Sequence, residues 1–286
     1  MKLVTEGGLT AEGRRNGSGY PLGVPKSRLD ALLADRGLFE SRSRAAAAVL
    51  AGDVRLAASG QLVDKPGRMV GDDVALDVAQ APAYVSRGGV KLANALDELG
   101  VEVAGRSALD AGASTGGFTD CLLQRGAERV IAADVAYGEL HWTIRQDPRV
   151  TVMERCNVRA LEAAALPFAP DLIVADLSFI SLHKVLPAIV GVAAERFDYL
   201  AMVKPQFEVG RDKVGKGGVV RDPQLRRGAL VGVGRAARDL GLSVMAYASS
   251  GLPGPKGNRE SFVWLAEAGR SGAAQDLDGA ARRAEP

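Results

Sequence analysis

Two lysines and two carboxylates stand in this sequence at positions where their side chains could act on the same atom. Asp176 and Lys204 each follow an apolar run that is typical of a buried strand. Because the carboxyl ends of parallel strands border one crevice, both side chains are expected to face it. Lys91, in the segment 86–92, and Glu260, directly before the last predicted strand, are further candidates. Such a set could take up a proton and stabilise a developing negative charge.

Each of these residues also has a purely structural interpretation. Lys91 could be a solvated helix residue, because lysine is seldom buried. Asp176 could cap the helix that follows it, and Lys204 could simply end a strand. Glu260 could pair at the surface with a neighbouring basic residue. All four interpretations would have to hold at once, so the shared placement of the residues favours a catalytic group.

A glycine-rich segment, DAGASTGGFT at 110–119, follows one predicted strand and opens a helix. Glycines at such a turn let a ligand approach the backbone closely. The segment lacks the Gly-Lys-Ser/Thr ending of a phosphate loop, and its glycine spacing differs from that of a dinucleotide site. The cofactor-binding candidates within it are Asp110, Gly112, Ala113, Ser114, Thr115, Gly116, Gly117 and Phe118.

Three polar residues extend this candidate site along the predicted sheet. Asp134 ends the second strand, where a carboxylate can accept hydrogen bonds from ribose hydroxyls. Asn157 follows the third strand, where an amide could bind the edge of an adenine, and Asp176 ends the fourth. This pattern favours an adenosyl ligand that lies across the carboxyl ends of the strands. The alternative is a tight turn, with Asp134 as a helix cap.

These residues would be positioned by alternating strands and helices. Apolar runs typical of strands occupy residues 107–111, 129–135, 150–153, 172–176, 199–203, 242–246 and 261–265. Helical stretches fit between them, near residues 117–125, 139–146, 182–195 and 223–240. The alternation predicts an α/β fold, in which a parallel sheet carries helices on both faces.

The rest of the chain divides into a small module, a connector and two tails. Residues 26–80 read as two helices followed by short strands, which predicts a separate α+β domain. Residues 81–90 are expected to connect this domain to the larger one at 91–268. Residues 1–25 and 269–286 are expected to be disordered tails, because small and polar residues dominate them.

The composition argues against several classes of protein. Hydrophobic residues make up 47%, charged residues 24% and the formal net charge is +2, which is usual for a soluble globular protein. Because no apolar run is long enough to span a bilayer, no membrane partner is expected. Two cysteines are too few for a disulfide framework and fit residence in the cytoplasm. With only two histidines beside them, no metal site is expected.

Five segments, SRGGVKL, GASTGGFTD, DLSFISL, VKPQFE and GNRE, follow one another in this order along the chain. Within them, the set Lys91, Asp176, Lys204 and Glu260 resembles the Lys-Asp-Lys-Glu tetrad of the FtsJ-type RNA ribose 2′-O-methyltransferases. The segments together are more similar still to the TlyA family, also called hemolysin-A-like proteins. This resemblance covers about residues 26–268.

The resemblance implies a Rossmann-like methyltransferase domain that uses S-adenosyl-L-methionine, joined to an RNA-binding module like that of small-subunit ribosomal protein four. It implies cytidine in the ribosomal RNA of one or both subunits as the methyl acceptor. Free subunits and intact ribosomes both stay open as the substrate. Four arginines of the module become candidate RNA contacts: Arg28, Arg42, Arg44 and Arg55. The oligomeric state stays open.

The tetrad suits a ribose hydroxyl, a weak nucleophile that must lose its proton as it attacks. A lysine held in a dry pocket near a second cation can act as a base, and Lys204 is expected in that role. Lys91 would stabilise the developing alkoxide. Asp176 would orient Lys204 or the cofactor, and Glu260 would hold a lysine amine through a charge-assisted hydrogen bond. The chemistry requires no metal.

Basic residues near the predicted site suggest how RNA is held. The candidates are Arg87, Arg211, Lys213, Lys216 and Arg221, most of them in or beside a glycine-rich loop at 210–218. We interpret this loop as a mobile clamp on the RNA backbone, the alternative being a solvated surface loop. Aromatic residues make up only 5% of the chain, which argues against an aromatic platform for single strands.

Three other functions are kept as alternatives. A non-catalytic RNA-binding or ribosome-assembly factor could keep the fold without using the tetrad. The name hemolysin suggests a membrane-active protein, although the sequence has neither a long apolar span nor repeated amphipathic strands. A methyltransferase for a base or a small molecule is disfavoured, because base N-methylation commonly uses other residue sets.

Overall fold

The computed structural model describes residues 25–39, 41–78, 83–254 and 256–285. They belong to two compact units that divide between residues 81 and 82. The disordered tail expected at residues 1–25 lies, except for Pro25, outside the described residues.

The first unit is a small α+β domain. Its elements are β1 (Lys26–Arg28), α1 (Leu29–Asp35), α2 (Arg42–Ala51), β2 (Val54–Leu56), β3 (Met69–Gly71) and β4 (Leu76–Val78). The strands pair antiparallel, β1 with β3 and β2 with β4. The Ser41 side chain begins α2 by accepting a hydrogen bond from the Arg44 backbone N–H, and Gly52 ends it in a left-handed conformation. Leu29, Leu33 and Val49 lie fully buried in its core.

The second unit holds a seven-stranded sheet with helices between the strands. Its elements are α3 (Arg87–Leu99), β5 (Ser107–Ala111), α4 (Gly117–Gln124), β6 (Arg129–Ala133), α5 (Trp142–Arg145), β7 (Val150–Met153), β8 (Leu172–Ala175), α6 (Leu186–Val190), β9 (Asp198–Val203), α7 (Pro205–Glu208), α8 (Pro223–Asp239), β10 (Ser243–Ser249), β11 (Ser261–Ala266) and α9 (Leu277–Ala284). Every strand predicted in this unit is present.

The strand order in the sheet is β10-β11-β9-β8-β5-β6-β7. The five strands from β9 to β7 run parallel, and the order of connection reverses between β5 and β8. A crevice for ligands forms at such a reversal, outside the carboxyl ends of the strands. The candidate residues that follow β5, β8 and β9 therefore converge at one edge.

One strand departs from the predicted parallel arrangement, at the end of the sheet formed by β10 and β11. β11 runs antiparallel to both β9 and β10. A parallel return from β10 would need a crossover, usually with a helix. The described residues between these two strands contain no helix, so the chain turns back directly.

Helices cover both faces of the sheet, as predicted. One apolar cluster packs α6, α8 and α9 against the first face, and a second cluster packs α3, α4 and α5 against the other. Across the described part of the chain, no helix combines the length and the apolar character needed to cross a membrane.

Two expected boundaries are also corrected. The connector expected at 81–90 ends earlier, because Arg87 already begins α3. The segment expected to be disordered at 269–286 is ordered where it is described, through residue 285, and contains α9. Leu277, Ala280, Ala281 and Ala284 of this helix are buried, and their spacing forms one apolar face.

The helix predicted at 182–195 is instead a 3-10 turn followed by the short α6.

Candidate active site

The glycine turn between β5 and α4 forms the floor of the site. Gly112 and Gly116 have φ angles of 91° and 95°, a region that glycine adopts without strain. A Cβ on Gly112 would lie 2.9 Å from the carbonyl oxygen of Asp176. Glycine at this position therefore lets the turn approach the end of β8 closely.

Asp110 lies beneath this turn and is fully buried. Its Oδ2 accepts hydrogen bonds from the backbone N–H and the hydroxyl of Thr119, at 2.9 and 2.7 Å. Burial raises the pKa of the Asp110 carboxyl to about 7, because desolvation disfavours its charged form. Asp110 thus holds the first turn of α4 from below the cavity.

Asp134 is hydrogen-bonded to the glycine turn, whereas Asn157 lies away from the cavity. The Asp134 carboxylate accepts hydrogen bonds from the backbone N–H of Ser114, at 2.7 Å, and of Ala136, at 2.8 Å. It thereby ties the end of β6 to the glycine turn. Asn157 is exposed, and its side chain accepts a hydrogen bond from the Arg159 backbone N–H at 3.1 Å. Asn157 lies outside the set of residues that line the cavity.

A cavity of about 570 Å³ opens above the glycine turn. All four residues of the predicted tetrad line it, although they come from distant parts of the sequence. The cofactor-binding candidates in its wall are Gly112, Ala113, Ser114, Thr115, Gly117, Phe118 and Asp176. The structure therefore brings the tetrad and these seven candidates together, whereas Asp110, Gly116, Asp134 and Asn157 lie outside the residues that line this cavity.

Lys91 and Glu260 form a buried ion pair on one side of this cavity. Their residues are only 6% and 3% exposed. Lys91 projects from α3, and Glu260 directly precedes β11. A Cβ on Gly254 would lie 2.5 Å from Glu260 Oε1, so the absence of a side chain there makes room for the carboxylate. Charges enclosed this deeply need a close partner.

Lys204 and Asp176 form the second ion pair, with 2.5 Å between Lys204 Nζ and Asp176 Oδ1. Lys204 Nζ also donates a hydrogen bond to the Ser178 hydroxyl at 2.9 Å. The Asp176 side chain is 28% exposed, so this pair is more open than the Lys91–Glu260 pair. Lys204 follows β9 and Asp176 follows β8, as the sequence predicted.

Phe179 is a residue at this site that the sequence reasoning missed. Its side chain is 92% exposed, and its φ of 63° is unusual for a bulky residue. Its ring lies 5.5 Å from that of Phe207, and both side chains line the cavity. A strained backbone that holds an aromatic ring in solvent points to a function. The signal was its place in the segment that follows β8, three residues after Asp176.

Asn258 was missed as well, although it lies two residues before Glu260. It is buried, and its side chain is hydrogen-bonded to two backbone groups at the end of the glycine-rich loop and just beyond it. Its Oδ1 accepts from the Val220 N–H at 2.9 Å, and its Nδ2 donates to the Gly218 carbonyl at 2.8 Å. Because Asn258 and Gly218 both line the cavity, this residue fixes the loop at its rim.

The candidate RNA contacts of the second unit lie around the cavity. Arg87 lines it. Arg211, Lys213, Lys216 and Arg221 are exposed, in the same loop as the cavity-lining Val214 and Gly218. This loop holds only a 3-10 turn, Arg211–Lys213, and a bridge between Gly215 and Val219.

The candidate RNA contacts of the first unit are exposed, but two of them share one acid. Arg28 and Arg42 both pair with Asp30, and the hydrogen bond from Arg28 is the main cause that lowers the pKa of Asp30 to about 2. Arg55 donates to the Gly60 carbonyl at 3.2 Å. Arg44 is exposed in the first turn of α2.

No group of three or more His, Cys, Asp or Glu side chains stands ready to hold a metal ion among the residues that the structure describes.

The strand order, the glycine turn at the strand reversal and the cavity above it define a Rossmann-like methyltransferase. The family model for FtsJ-like methyltransferases matches residues 84–267. Together with the relatives described next, this match shows that the chain belongs to the TlyA family of FtsJ-like methyltransferases.

Three relatives illustrate the similarity. The 16S/23S rRNA (cytidine-2′-O)-methyltransferase TlyA of Mycobacterium tuberculosis is 51% identical over 262 residues, which cover 91% of this chain and 97% of that protein. Hemolysin A of Brachyspira hyodysenteriae is 38% identical and covers 82% of this chain and 97% of its own length. A solved structure described as a hemolysin from Streptococcus thermophilus has 37% identity and a TM-score of 0.68, over 92% of this chain and 96% of that one.

Proposed function

We propose that this enzyme transfers a methyl group from S-adenosyl-L-methionine to the ribose 2′-hydroxyl of cytidine in ribosomal RNA. One observation carries the proposal: a single cavity contains the glycine turn and both lysine–carboxylate pairs. The name of the Mycobacterium tuberculosis relative supports cytidine and ribosomal RNA as the acceptor. Ribosomal RNA is found in the cytoplasm, so we propose that the protein acts there.

The residues at the glycine turn fit the proposed cofactor. Gly112 and Gly117 leave the backbone of the turn open to the cavity, and Asp134 stands beside the turn with a carboxylate that can accept hydrogen bonds from ribose hydroxyls. Asp176 borders the turn on the cavity side, where its negative charge would favour a cationic group. When bound, the cofactor supplies a methyl group on a positively charged sulfur.

Lys204 is the group proposed to take the proton from the 2′-hydroxyl, which requires the form of the enzyme in which Nζ is a neutral amine with a free lone pair; after the transfer, Nζ is an ammonium group paired with Asp176. Asp176 and Ser178 hold its amine at 2.5 and 2.9 Å, which fixes where Nζ meets the acceptor. A base positioned in this way contributes roughly 100- to 10,000-fold to a reaction of this kind.

Lys91 is proposed to stabilise the oxygen as it gains negative charge. Glu260 and the burial of both side chains keep the ammonium group in one place. A preorganised charge in a site that excludes water stabilises such an oxygen more strongly than a solvated charge would.

Phe179 and the basic residues are proposed to hold the RNA. An exposed ring at the cavity can stack on an unpaired base, which is how single-stranded RNA is commonly bound. Arg87 and the loop at residues 211–221, called the basic loop from here on, would contact phosphates. On the family resemblance, we propose that the first unit adds contacts to folded RNA through Arg28, Arg42, Arg44 and Arg55.

The proposal is tested by transfer of tritiated methyl groups to purified ribosomal subunits. The wild-type protein should label subunit RNA, and Lys204→Ala should not, although it should still bind the cofactor. Lys184→Ala is a matched control, because Lys184 is exposed outside the residues that line the cavity and should leave labelling unchanged.

Two outcomes would contradict the proposal. One is the absence of labelling in any RNA with the wild-type protein. The other is full labelling by Lys204→Ala, which would support a role that does not use the tetrad.

A further inference from the structure

Glu285, which follows α9, is tied to the basic loop at the cavity through a buried arginine. Glu285 Oε1 accepts two hydrogen bonds from Arg226 of α8, from Nε at 2.9 Å and from Nη2 at 2.7 Å. The two side chains are 4% and 9% exposed. This is a buried ion pair outside the proposed catalytic group.

The same arginine holds the end of the basic loop. Arg226 Nη1 donates hydrogen bonds to the carbonyl oxygens of Arg221, at 2.6 Å, and Val220, at 3.3 Å. The backbone N–H of Val220 is held in turn by Asn258, which also holds Gly218 at the cavity. An unbroken series of contacts thus runs from Glu285 to the wall of the cavity.

The loop needs such support because it has little structure of its own. Gly217 and Gly218 have φ angles of 80° and 81°, and the loop's cations extend into solvent. A guanidinium group is planar and donates in fixed directions, so it can join one carboxylate and two carbonyls in a single geometry. An apolar pair at this place would pack as well but would not fix the carbonyls.

We propose that Glu285 and Arg226 are positioning residues that fix the basic loop, residues 211–221, over the cavity and so set the affinity for RNA. The part of this inference that concerns RNA rests on the proposed function. The anchoring of the loop does not, and it can be measured without any substrate.

The test compares Glu285→Ala with Asp278→Ala in the full-length protein. Asp278 of α9 pairs with Arg235 of α8 at 3.7 Å, but these side chains are 60% and 68% exposed. Glu285→Ala removes the buried pair with Arg226 and a longer contact, 3.7 Å, with the exposed Arg259, whereas Asp278→Ala removes one exposed pair. Among these pairs, only the one with Arg226 reaches the loop.

Limited trypsin digestion reports on the loop, because Arg211, Lys213, Lys216 and Arg221 are cleavage sites within it. We expect Glu285→Ala to be cleaved there about tenfold faster than the wild type, because Arg226 loses the partner that holds it. We also expect its KM for ribosomal subunits to rise roughly tenfold, with kcat changed less than about threefold and cofactor affinity unchanged. Asp278→Ala should match the wild type in every measurement.

Glu285→Gln keeps an oxygen that can accept a hydrogen bond from Arg226. Its cleavage rate and its KM should therefore lie between those of the wild type and those of Glu285→Ala. A general loss of helix packing would not give such intermediate values. Glu285→Gln also carries the comparison if Glu285→Ala does not fold.

Loop cleavage at the wild-type rate in Glu285→Ala, or equal changes in Asp278→Ala, would overturn the anchor. Faster cleavage with an unchanged KM would overturn its link to RNA. If the wild type labels no RNA, the proposed function fails, and the cleavage rates still decide whether the anchor exists.

Discussion

The two lysine–carboxylate pairs share one cavity but differ in how deeply they are enclosed. Lys91 and Glu260 are almost completely buried, whereas the side chain of Asp176, the partner of Lys204, is 28% exposed. The amine of Lys204 also has a hydroxyl partner, Ser178. The difference suggests a division of work, in which the closed pair supplies a fixed charge and the open pair exchanges a proton.

The largest effect is expected for the open pair in catalysis. Lys204→Ala should lower the rate of methyl transfer by roughly 100- to 10,000-fold, because it removes the proposed proton acceptor. Cofactor affinity, measured by calorimetry, should change little. A variant that transfers methyl groups at the wild-type rate would end the assignment of this role to Lys204.

The largest effect on stability is expected for the closed pair. Glu260→Ala should lower the free energy of unfolding by about 3–5 kcal/mol, because it leaves the Lys91 ammonium buried without a partner. Asp176→Ala should cost only about 1 kcal/mol, since that pair is partly solvated. Urea unfolding followed by circular dichroism measures both, and equal losses would show that the two pairs do not differ as proposed.

Phe179 sharpens the comparison on the open side. Phe179→Ala should raise the KM for RNA roughly tenfold while kcat changes less, because stacking on one base contributes about 1–3 kcal/mol. Trp142 is also exposed but lies outside the residues that line the cavity, so Trp142→Ala serves as the control. Steady-state kinetics in which both variants lose affinity alike would argue against a specific stacking position.

Asp110 provides a test that depends on pH, because it is a buried carboxyl held by Thr119 rather than by a lysine. Burial raises its pKa from 3.8 to about 7. Between these values the folded protein holds a proton that the unfolded chain has lost, so its contribution to stability falls as pH rises toward 7. The neutral variant Asp110→Asn lacks this dependence.

The Tm of the wild type relative to Asp110→Asn should therefore be higher near pH 5 than near pH 8. Thermal unfolding of both proteins across this range checks the sign. A difference in Tm that stays constant with pH would mean that Asp110 does not titrate there.

Much of the fold could be predicted from the sequence because its signals are local. The strands at the centre of the sheet are short apolar runs, and the glycine turn between β5 and α4 follows one of them directly. Asp176 and Lys204 could be brought together because each ends a neighbouring parallel strand. General rules for open sheets then place both in one crevice.

Other features depend on contacts that no local pattern contains. Lys91 and Glu260 are 169 residues apart, and the sequence did not assign Glu260 to Lys91 rather than to Lys204. The direction of β11 depends on how the chain returns from β10. The apolar face of α9 was present in the sequence, but its small alanines and the surrounding charges hid it. The exposure of Phe179 follows from a backbone conformation that its residue type does not favour.

The central claim is tested most directly by identifying the methylated nucleoside. Ribosomal subunits treated with the wild-type protein and the cofactor are digested to nucleosides and examined by mass spectrometry, with Lys204→Ala treated in parallel. The wild type should produce 2′-O-methylcytidine, and the variant should produce none above background. A methyl group on a base, or no new methylated nucleoside, would contradict it.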